Sequence, residues 1–194
     1  TRRGGGRRGG GGAGGAGGGR EERGEGEWGR RNRRRAEGGG GSSHCAAMVT
    51  TDTLEIVMGS FEGPDQYSQA GGLGVRAREL CRSFAALGFR TSLVFVGDPD
   101  KPVVEMEQGV QLVRWCQQIS DRYRTGVYEG ELAKIRDLTA TLPNEIIDAI
   151  IRPAAADGRT VAVLCEEWPT ACFTIELSDR LHAVGLRQNR VLRW

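Results

Sequence analysis

The residues best placed to do chemistry lie in one glycine-rich segment in the first half of the chain. This segment, the glycine loop, consists of Gly71, Gly72, Leu73 and Gly74. A predicted helix begins within it, so the first N–H groups of that helix have no partner inside the helix. With the helix dipole, and with Arg76 and Arg78 in the first turns, these amides predict a phosphate site. An ordinary loop-to-helix turn is the alternative explanation for the glycines.

The same segment also fits G-x-G-x-x-A, the dinucleotide-binding pattern, from Gly72 to Ala77. In that pattern the glycines follow the first strand directly, whereas about twelve residues separate Gly59, at the end of the first predicted strand, from Gly72. The acid expected about 20 residues further on would be Asp98, which follows Gly72 by 26 positions. An NAD(P)-binding Rossmann-type oxidoreductase domain is therefore the alternative function.

Cysteine and histidine indicate neither a metal site nor a disulfide scaffold. The five cysteines form no CxxC pair, and three of them lie in apolar runs, where cysteine behaves as a small buried hydrophobe. His44 lies in the glycine-rich N-terminal segment, and His182 lies in a predicted helix where a surface position is expected. We therefore expect no metal, no cofactor and a reducing, cytoplasmic location.

Strands and helices alternate along residues 48–194, and these elements must position the glycine loop. Strands are predicted from short β-branched apolar runs, and helices from apolar residues that recur at spacings of three and four. The strands are Leu54–Gly59, Thr91–Val96, Val110–Trp115, Thr160–Cys165 and Val191–Trp194. The helices are Leu73–Leu87, Glu129–Thr141, Pro143–Ala156 and Thr170–Val184. This alternation predicts a Rossmann-like α/β fold, a doubly wound parallel sheet that binds ligands at the carboxyl ends of its strands.

Composition divides the chain into two unlike parts. Residues 1–41 hold 19 of the 31 glycines and carry a net charge of +6, whereas residues 42–194 carry −4. We therefore predict a disordered Gly/Arg-rich tail at residues 1–47 and one ordinary domain at residues 48–194. Arginine-rich segments also bind RNA, so a non-enzymatic module that contacts nucleic acid through this tail is a third alternative. Nucleic acid is the less favoured partner because the tail has one aromatic residue, Trp28, and no regular RGG spacing.

Two segments resemble a known family. The first runs from Ser60 to Gly88 and contains Pro64-Asp65-Gln66-Tyr67, the glycine loop with Val75-Arg76-Ala77-Arg78-Glu79-Leu80, and Ala86-Leu87-Gly88. The second is Leu164-Cys165-Glu166-Glu167-Trp168-Pro169-Thr170-Ala171, which is similar to the "HDWHT" segment of glycogen synthases. Together they resemble the N-terminal domain of a two-domain (GT-B) glycosyltransferase of the family 4 and glycogen/starch synthase-like group. The resemblance covers roughly residues 54–194 and is weak over residues 98–158.

The resemblance implies roles for both segments. The amides of Gly71, Gly72, Leu73 and Gly74 would approach the diphosphate of a nucleotide-sugar donor. Glu166 and Glu167 stand where the synthases have His and Asp, and would hydrogen-bond sugar hydroxyls; solvent-facing acids without a role are the alternative. Trp168 would stack on a sugar ring or brace the loop, and core packing is the favoured expectation for it. Gln69 and Ala70 precede the glycines where the synthases often carry a lysine.

The resemblance also implies the reaction. The full protein would be a retaining, hexosyltransferase-like enzyme that moves a sugar from a nucleotide-sugar donor to a hydroxyl of a carbohydrate or other acceptor, without a metal. Residues 48–194 would supply the acceptor side and the diphosphate loop, and a C-terminal Rossmann domain of the same protein would complete the site. We therefore expect a truncated fragment that is inactive alone. No stretch approaches the roughly 18 apolar residues of a membrane span, so no membrane partner is expected.

Overall fold

Short runs rich in Val, Leu and Ile form the central strands, because a strand covered on both faces needs apolar side chains throughout. The computed structural model describes residues 50–187 and the backbone of residues 191–193. The strands are β1 (Leu54–Gly59), β2 (Arg90–Val96), β3 (Val104–Glu107), β4 (Val110–Trp115), β5 (Thr160–Cys165) and β6 (Val191–Arg193). They form one sheet in the order β3-β4-β2-β1-β5-β6. Neighbouring strands are parallel except for β3 and β4, which are antiparallel.

Helices cover both faces of this sheet. The α-helices are α1 (Leu73–Ala86), α2 (Gln117–Ser120), α3 (Glu131–Ile146), α4 (Arg152–Ala156) and α5 (Ala171–Ala183), and a π-helical turn, Ile147–Ile151, joins α3 to α4. Met58 in β1 belongs to the same buried cluster as Ala77 of α1. Its neighbour Val57 belongs to the cluster on the other face, with Leu142 of α3 and Phe173 of α5. The predicted α/β fold is therefore confirmed, and it is compatible with a Rossmann-like architecture. The sheet is mostly parallel rather than wholly parallel as predicted, because β3 pairs with β4 in the antiparallel direction.

One predicted helix boundary is wrong. The sequence predicts separate helices at Glu129–Thr141 and Pro143–Ala156, but one helical run continues from α3 through the π-helical turn to α4, with Pro143 inside α3. A proline inside a helix removes a hydrogen bond and costs about 3 kcal/mol. Leu138 and Leu142, one turn apart, are almost fully buried, and each such side chain contributes about 1.5–3 kcal/mol on burial. Packing against the sheet therefore outweighs the cost of the proline.

The sequence prediction missed the edge strand β3. Its residues alternate between apolar and acidic types and are mostly exposed, so no apolar run marks the strand. β3 pairs with β4 through a two-residue turn at Gln108 and Gly109, whose φ angles are 50° and 82°. Two consecutive positive φ angles are typical of the type I′ turns of β-hairpins. The other predicted strands are confirmed, β6 as far as Arg193, and Trp194 lies outside the described residues.

The predicted tail, residues 1–47, also lies outside the described residues. Among the helices that are described, none has both the length and the apolar character needed to cross a membrane. Four cysteines fall within the described residues, and none of them forms a disulfide: Cys81, Cys116, Cys165 and Cys172. Burial raises the pKa of the Cys81 thiol to about 12, so this side chain stays protonated and unreactive near neutral pH.

Candidate functional site at the topological switch point

The strand order reverses at β1, and such a reversal marks the crevice where α/β sheets bind ligands. From β1 the chain runs outward to β2 and β4, and it then returns past β1 to β5 and β6 on the opposite side. The carboxyl ends of β1 and β5 therefore flank this switch point. Gly59 is paired with Cys165 in the sheet, so the two segments that leave these strands start side by side. They are residues 60–70, which lead into the glycine loop, and residues 166–170.

A buried carboxylate binds the amides of the glycine loop. Glu62 is only 2% exposed, and its Oε2 accepts hydrogen bonds from the N–H groups of Gly71, at 3.1 Å, and Gly74, at 3.2 Å. The helix dipole favours a negative charge at this position. The amides of Gly72 and Leu73 have no hydrogen-bond partner among the described residues. The loop thus has two amides bound to the protein's own carboxylate and two that are available to a ligand.

The packing of the glycine loop requires glycine at Gly74 but not at Gly72. A Cβ atom on Gly74 would lie 2.5 Å from the carbonyl oxygen of Gly63, so only glycine allows α1 to approach that strand-to-helix segment. A Cβ atom on Gly72 would meet nothing within 4 Å. Gly72 also has a negative φ, −90°, so its backbone does not use the left-handed region that favours glycine. Packing therefore explains Gly74 but gives no reason for glycine at Gly72.

Glu167 is held by residues of the β1 side of the crevice. Its Oε1 accepts hydrogen bonds from the hydroxyl of Ser60, at 2.9 Å, and from the backbone N–H of Glu62, at 3.1 Å. Its Oε2 accepts the hydroxyl of Tyr128, at 3.1 Å. Glu167 has a φ angle of 72°, a strained conformation for a residue with a Cβ atom. These contacts fix the conformation of the chain as it leaves β5.

Tyr128 connects the two carboxylates. Its hydroxyl lies 3.0 Å from Oε1 of Glu62 and 3.1 Å from Oε2 of Glu167. A phenol carries one proton, so both carboxylates compete for a single donor. Partial burial, together with these two neighbouring carboxylates, raises the pKa of Tyr128 above its usual range. The phenol therefore stays protonated and acts as a hydrogen-bond donor to the cluster, which we call the carboxylate cluster (Glu62, Tyr128 and Glu167).

Glu166 differs from Glu167 because its carboxylate stays accessible. Its side chain is 19% exposed and its Oε1 lies 3.3 Å from the guanidinium of Arg76, which is 65% exposed. The backbone N–H of Glu166 donates to the carbonyl of Gly59, at 2.9 Å, and so extends the β1–β5 pairing by one residue. Because the Arg76 partner is largely exposed to solvent, this ion pair is screened and weak. Glu166 is therefore the predicted site residue with a carboxylate available to a ligand.

Trp168 does not pack in the core as the sequence analysis expected. Its side chain is 66% exposed, and it begins a short 3₁₀ turn directly after Glu167. The adjacent Pro169 and Thr170 are the buried residues of that turn. Pro169 and Thr170 are the residues that anchor the turn, and the indole of Trp168 stays at the surface. Trp168 directly follows the two glutamates in sequence.

Arg78, the second arginine predicted near the glycine loop, lies elsewhere. Its guanidinium is paired with Glu107 of the edge strand β3, at 2.5 Å. Arg78 therefore links α1 to β3 and does not supply positive charge to a phosphate site at the glycine loop. Among the described residues, Arg76 is the arginine that pairs with a carboxylate following β5.

A buried lysine fixes the loop that carries Tyr128. Lys134, fully buried on α3, donates from Nζ to the carbonyls of Val127, at 2.8 Å, and Glu129, at 2.7 Å, and to the hydroxyl of Tyr67, at 2.7 Å. Burial lowers the pKa of Lys134 to about 8. Tyr67 in turn donates to the carbonyl of Tyr123, at 2.6 Å. The segment 123–129 is thus held at several points, and this holds Tyr128 against the carboxylate cluster.

A second buried carboxylate, Asp65, anchors the segment after β1. It makes two hydrogen bonds with Arg114, at 2.7 and 3.0 Å, and one with Lys101, at 2.9 Å. Burial alone would raise the pKa of Asp65, but the bonds from Arg114 and Lys101 outweigh it and hold that pKa below its usual value. Asp65 is therefore ionised and fully paired, and it does not take part in the site.

Asp98, the acid of the dinucleotide alternative, lies in the turn after β2. Its Oδ1 accepts the N–H of Asp100, at 2.9 Å, and it lines a cleft with Gln66 and Tyr67. The segment 60–70 separates β1 from the glycine loop, unlike the direct connection of the dinucleotide pattern. Among the described residues no group of three His, Cys, Asp or Glu side chains is arranged to hold a metal ion.

Comparison with known proteins adds no family to this description. No protein-family model matches the chain, and no curated protein matches its sequence. Its function must therefore be inferred from the residues that the fold brings together at the switch point.

Sequence reasoning missed two residues of the carboxylate cluster. Glu62 is one acid in a loop rich in turn residues, and no spacing rule distinguishes it from a solvated surface acid. Tyr128 lies in the part of the chain that resembles the glycosyltransferase family only weakly. The glycines on either side of it, Gly126 and Gly130, indicate a loop but give no role to the tyrosine. The contact that joins Tyr128 to Glu62 spans 66 positions of sequence, so no local pattern indicates it.

Proposed function

We propose that this domain is the acceptor-side half of a retaining GT-B glycosyltransferase. The full protein would transfer a sugar from a nucleotide-sugar donor to a hydroxyl acceptor. The bond between the anomeric carbon and the diphosphate oxygen breaks, and a new bond to the acceptor oxygen forms. The acceptor hydroxyl loses its proton, and the nucleoside diphosphate leaves. The partner domain would be a C-terminal Rossmann domain of the same protein, and the site of action the cytoplasm.

One observation carries the proposal: the two segments that resemble the family lie together at the switch point. Arg76, in the first turn of α1, pairs with Glu166 at 3.3 Å, and Ser60 binds Glu167 across 107 positions of sequence. The resulting surface has free amides, an accessible carboxylate and an exposed indole. These groups suit a phosphorylated sugar, because carboxylates accept hydrogen bonds from hydroxyls, amides bind phosphate oxygens and an indole face covers apolar ring surface.

The residues of the site would divide their roles. The amides of Gly72 and Leu73 would approach the diphosphate, and Glu166 would accept hydrogen bonds from sugar hydroxyls. Glu167 would act as a positioning residue, because both of its carboxylate oxygens already have donors within the protein. The amides of Gly71 and Gly74 would shape the loop through Glu62 rather than contact the donor.

The direct test is turnover by the longer protein. The coding sequence from Met48 to its natural stop codon is expressed, and a panel of UDP-, ADP- and GDP-sugars is screened for release of nucleoside diphosphate. We expect one donor to be consumed when a hydroxyl acceptor is present. If no donor turns over and NAD(H) or NADP(H) raises the melting temperature, the transferase proposal fails and the oxidoreductase replaces it.

A substitution at Gly72 then tests the loop. Gly72→Val should raise the KM for the donor at least about tenfold, which corresponds to about 1.4 kcal/mol, without lowering the melting temperature, because the position has free space. Ala86→Val, on the exposed far end of α1, is the matched control and should change neither quantity. Unchanged donor kinetics in Gly72→Val would show that the diphosphate does not bind at this loop.

A further inference from the structure

A second cleft opens at the same edge of the sheet, next to the end of β2. It has a volume of about 340 Å³, within the range of about 300–1,000 Å³ of small-molecule sites. Three segments form its walls: Gln66 and Tyr67 after β1, Asp98 and its neighbours after β2, and Arg124 and Thr125 before α3. No role in the proposed donor site uses these residues.

The walls of this cleft are held in place without a ligand. The N–H of Asp98 donates to the buried carboxylate of Asp65, at 3.2 Å, and the side chain of Gln117 donates to the carbonyl of Asp98, at 2.7 Å. On the opposite wall, the hydroxyl of Tyr67 accepts from the buried Lys134, at 2.7 Å. A preformed site loses little conformational freedom when a ligand binds.

The charges of the cleft select against an anionic ligand. Arg124 contacts two aspartates, Asp100, at 2.8 Å, and Asp121. Because Asp98 and Asp100 also line the cleft, its negative charges outnumber the single positive charge of Arg124. No described residue forms an ion pair with Asp98, so its carboxylate can accept hydrogen bonds from a ligand. The exposed side chain of Gln66 offers both a donor and an acceptor. Hydroxyl groups match this set, and a phosphate or carboxylate does not.

The cleft is linked to the donor site through one loop. Thr125 lines the cleft, and three residues further along the same loop Tyr128 contacts Glu62 and Glu167. Thr125 is joined to the loop by a hydrogen bond from its hydroxyl to the carboxylate of Glu129, at 2.5 Å. A molecule in the cleft therefore adjoins the loop that contacts the carboxylate cluster.

We propose that this cleft is the acceptor subsite and that it takes a neutral, hydroxyl-bearing compound of the size of a mono- or disaccharide. The name acceptor subsite rests on the proposed transferase function. The chemical class of the ligand follows from the cleft itself.

Binding is tested on the 194-residue chain by amide NMR spectroscopy with glucose, fructose, maltose, sucrose and glycerol as neutral probes. Glucose 6-phosphate and glucosamine serve as the anionic and cationic probes. We expect at least one neutral probe to shift the amides of Tyr67, Asp98 and Thr125, and glucose 6-phosphate to shift them less. The proposal is overturned if no neutral probe shifts these amides, or if the charged probes bind more tightly.

Two variants and one control locate the contact. Asp98→Asn keeps the acceptor for the Asp100 amide but removes the charge, and Gln66→Ala removes an exposed side chain, so neither should disturb folding. Each should weaken binding of the neutral probe, Asp98→Asn by about tenfold, as expected for a hydrogen bond to a charged group. Asp179→Asn, on the exposed surface of α5, should bind as the parent protein does. Equal binding in all three variants would overturn the assignment to this cleft.

The same variants in the longer protein separate this proposal from the donor site. Asp98→Asn should raise the KM for the acceptor and leave donor hydrolysis without acceptor unchanged. Donor turnover with an unaffected acceptor KM would overturn the subsite while the transferase stands. Sugar binding in the cleft without any donor turnover would overturn the acceptor role and the transferase together. Shifts at Asp98 caused by NAD(H) would overturn the subsite in favour of the oxidoreductase.

Discussion

Two buried carboxylates lie three positions apart after β1, and the protein neutralises them in opposite ways. Asp65 is 1% exposed and is paired with two cations, Arg114 and Lys101. Glu62 is 2% exposed, and no cation contacts it within the described residues. Its donors are the amides of the glycine loop and the phenol of Tyr128.

The two kinds of neutralisation give the carboxylates different roles: Asp65 anchors a segment of the chain, and Glu62 shapes the glycine loop. An ion pair between fully buried partners fixes one geometry, and loss of either partner leaves an uncompensated charge. Amide and hydroxyl dipoles at a helix N-terminus accept many anions, and Glu62 occupies the place where such an anion binds. The first carboxylate therefore holds the segment 60–70 against the sheet, and the second determines which amides of the glycine loop remain for a ligand.

Breaking the anchor should have the largest effect. Asp65→Asn should lower the free energy of unfolding by about 3–5 kcal/mol, because it removes the buried anion that pairs with the buried guanidinium of Arg114. Urea unfolding measures this loss. Glu105→Gln removes another partner of Arg114, but Glu105 is 46% exposed, so the loss should be about 1 kcal/mol or less. Equal losses in the two variants would show that Asp65 is not the anchor.

Low pH should remove the difference in stability between the parent protein and Asp65→Asn. Because the pKa of Asp65 in the folded protein lies below its ordinary value of 3.8, the unfolded chain binds this proton first as the pH falls. The stabilisation by Asp65 is therefore complete above the unfolded pKa and is lost as the pH falls through the lower folded pKa. Melting curves of the parent protein and Asp65→Asn should differ by a constant amount near neutral pH and converge below about pH 4. A gap that stays constant into acid contradicts the ion pair.

Changing the dipole-bound carboxylate should cost less. Glu62→Gln keeps an oxygen for the amides of Gly71 and Gly74 but replaces the acceptor that faces Tyr128, so we expect a loss of about 1–3 kcal/mol. Hydrogen exchange at the amides of Gly71 and Gly74 should become faster than in the parent protein. Glu79→Gln, on the exposed side of α1, is the control and should leave both amides unchanged. Unchanged exchange in Glu62→Gln would place these amides on another acceptor.

Removing the phenol should have the smallest effect. Tyr128→Phe should lower the free energy of unfolding by about 1 kcal/mol, the net value of a hydrogen bond, since the ring is 39% exposed and its packing is retained. Its pKa is raised above the usual 10.0, so Tyr128 should ionise only above the range of ordinary tyrosines. An ultraviolet titration of the parent protein minus Tyr128→Phe isolates that step. A difference signal centred near pH 10 would contradict the contact with two carboxylates.

The sequence predicts the elements that follow from local pattern. β1, β2, β4 and β5 are apolar runs, and α1 has apolar residues at helical spacing, so both types of element were found with nearly correct ends. The break at Pro143 was predicted wrongly because a local rule was applied where buried leucines of α3 decide the outcome. β3 was missed because an exposed edge strand has no apolar run.

The candidate site is only partly predictable for a related reason. The glycine loop and Glu166 belong to short patterns, and the fold brings them to the switch point. Glu62 and Tyr128 belong to no pattern, and their importance arises from distances that only the folded chain defines. Trp168 was expected in the core, but it is exposed, and Pro169 and Thr170 are the buried residues of its turn.

The position of β1 in the sheet has a consequence for folding during synthesis. One edge of β1 pairs with β2, which follows closely in sequence, while the other pairs with β5, where Leu54 meets Thr160. Until β5 has left the ribosome, this second edge of a very apolar strand has unpaired N–H and C=O groups, and exposed edges of that kind promote aggregation. The yield of soluble protein should therefore depend on how quickly synthesis reaches β5, even where the finished fold is stable.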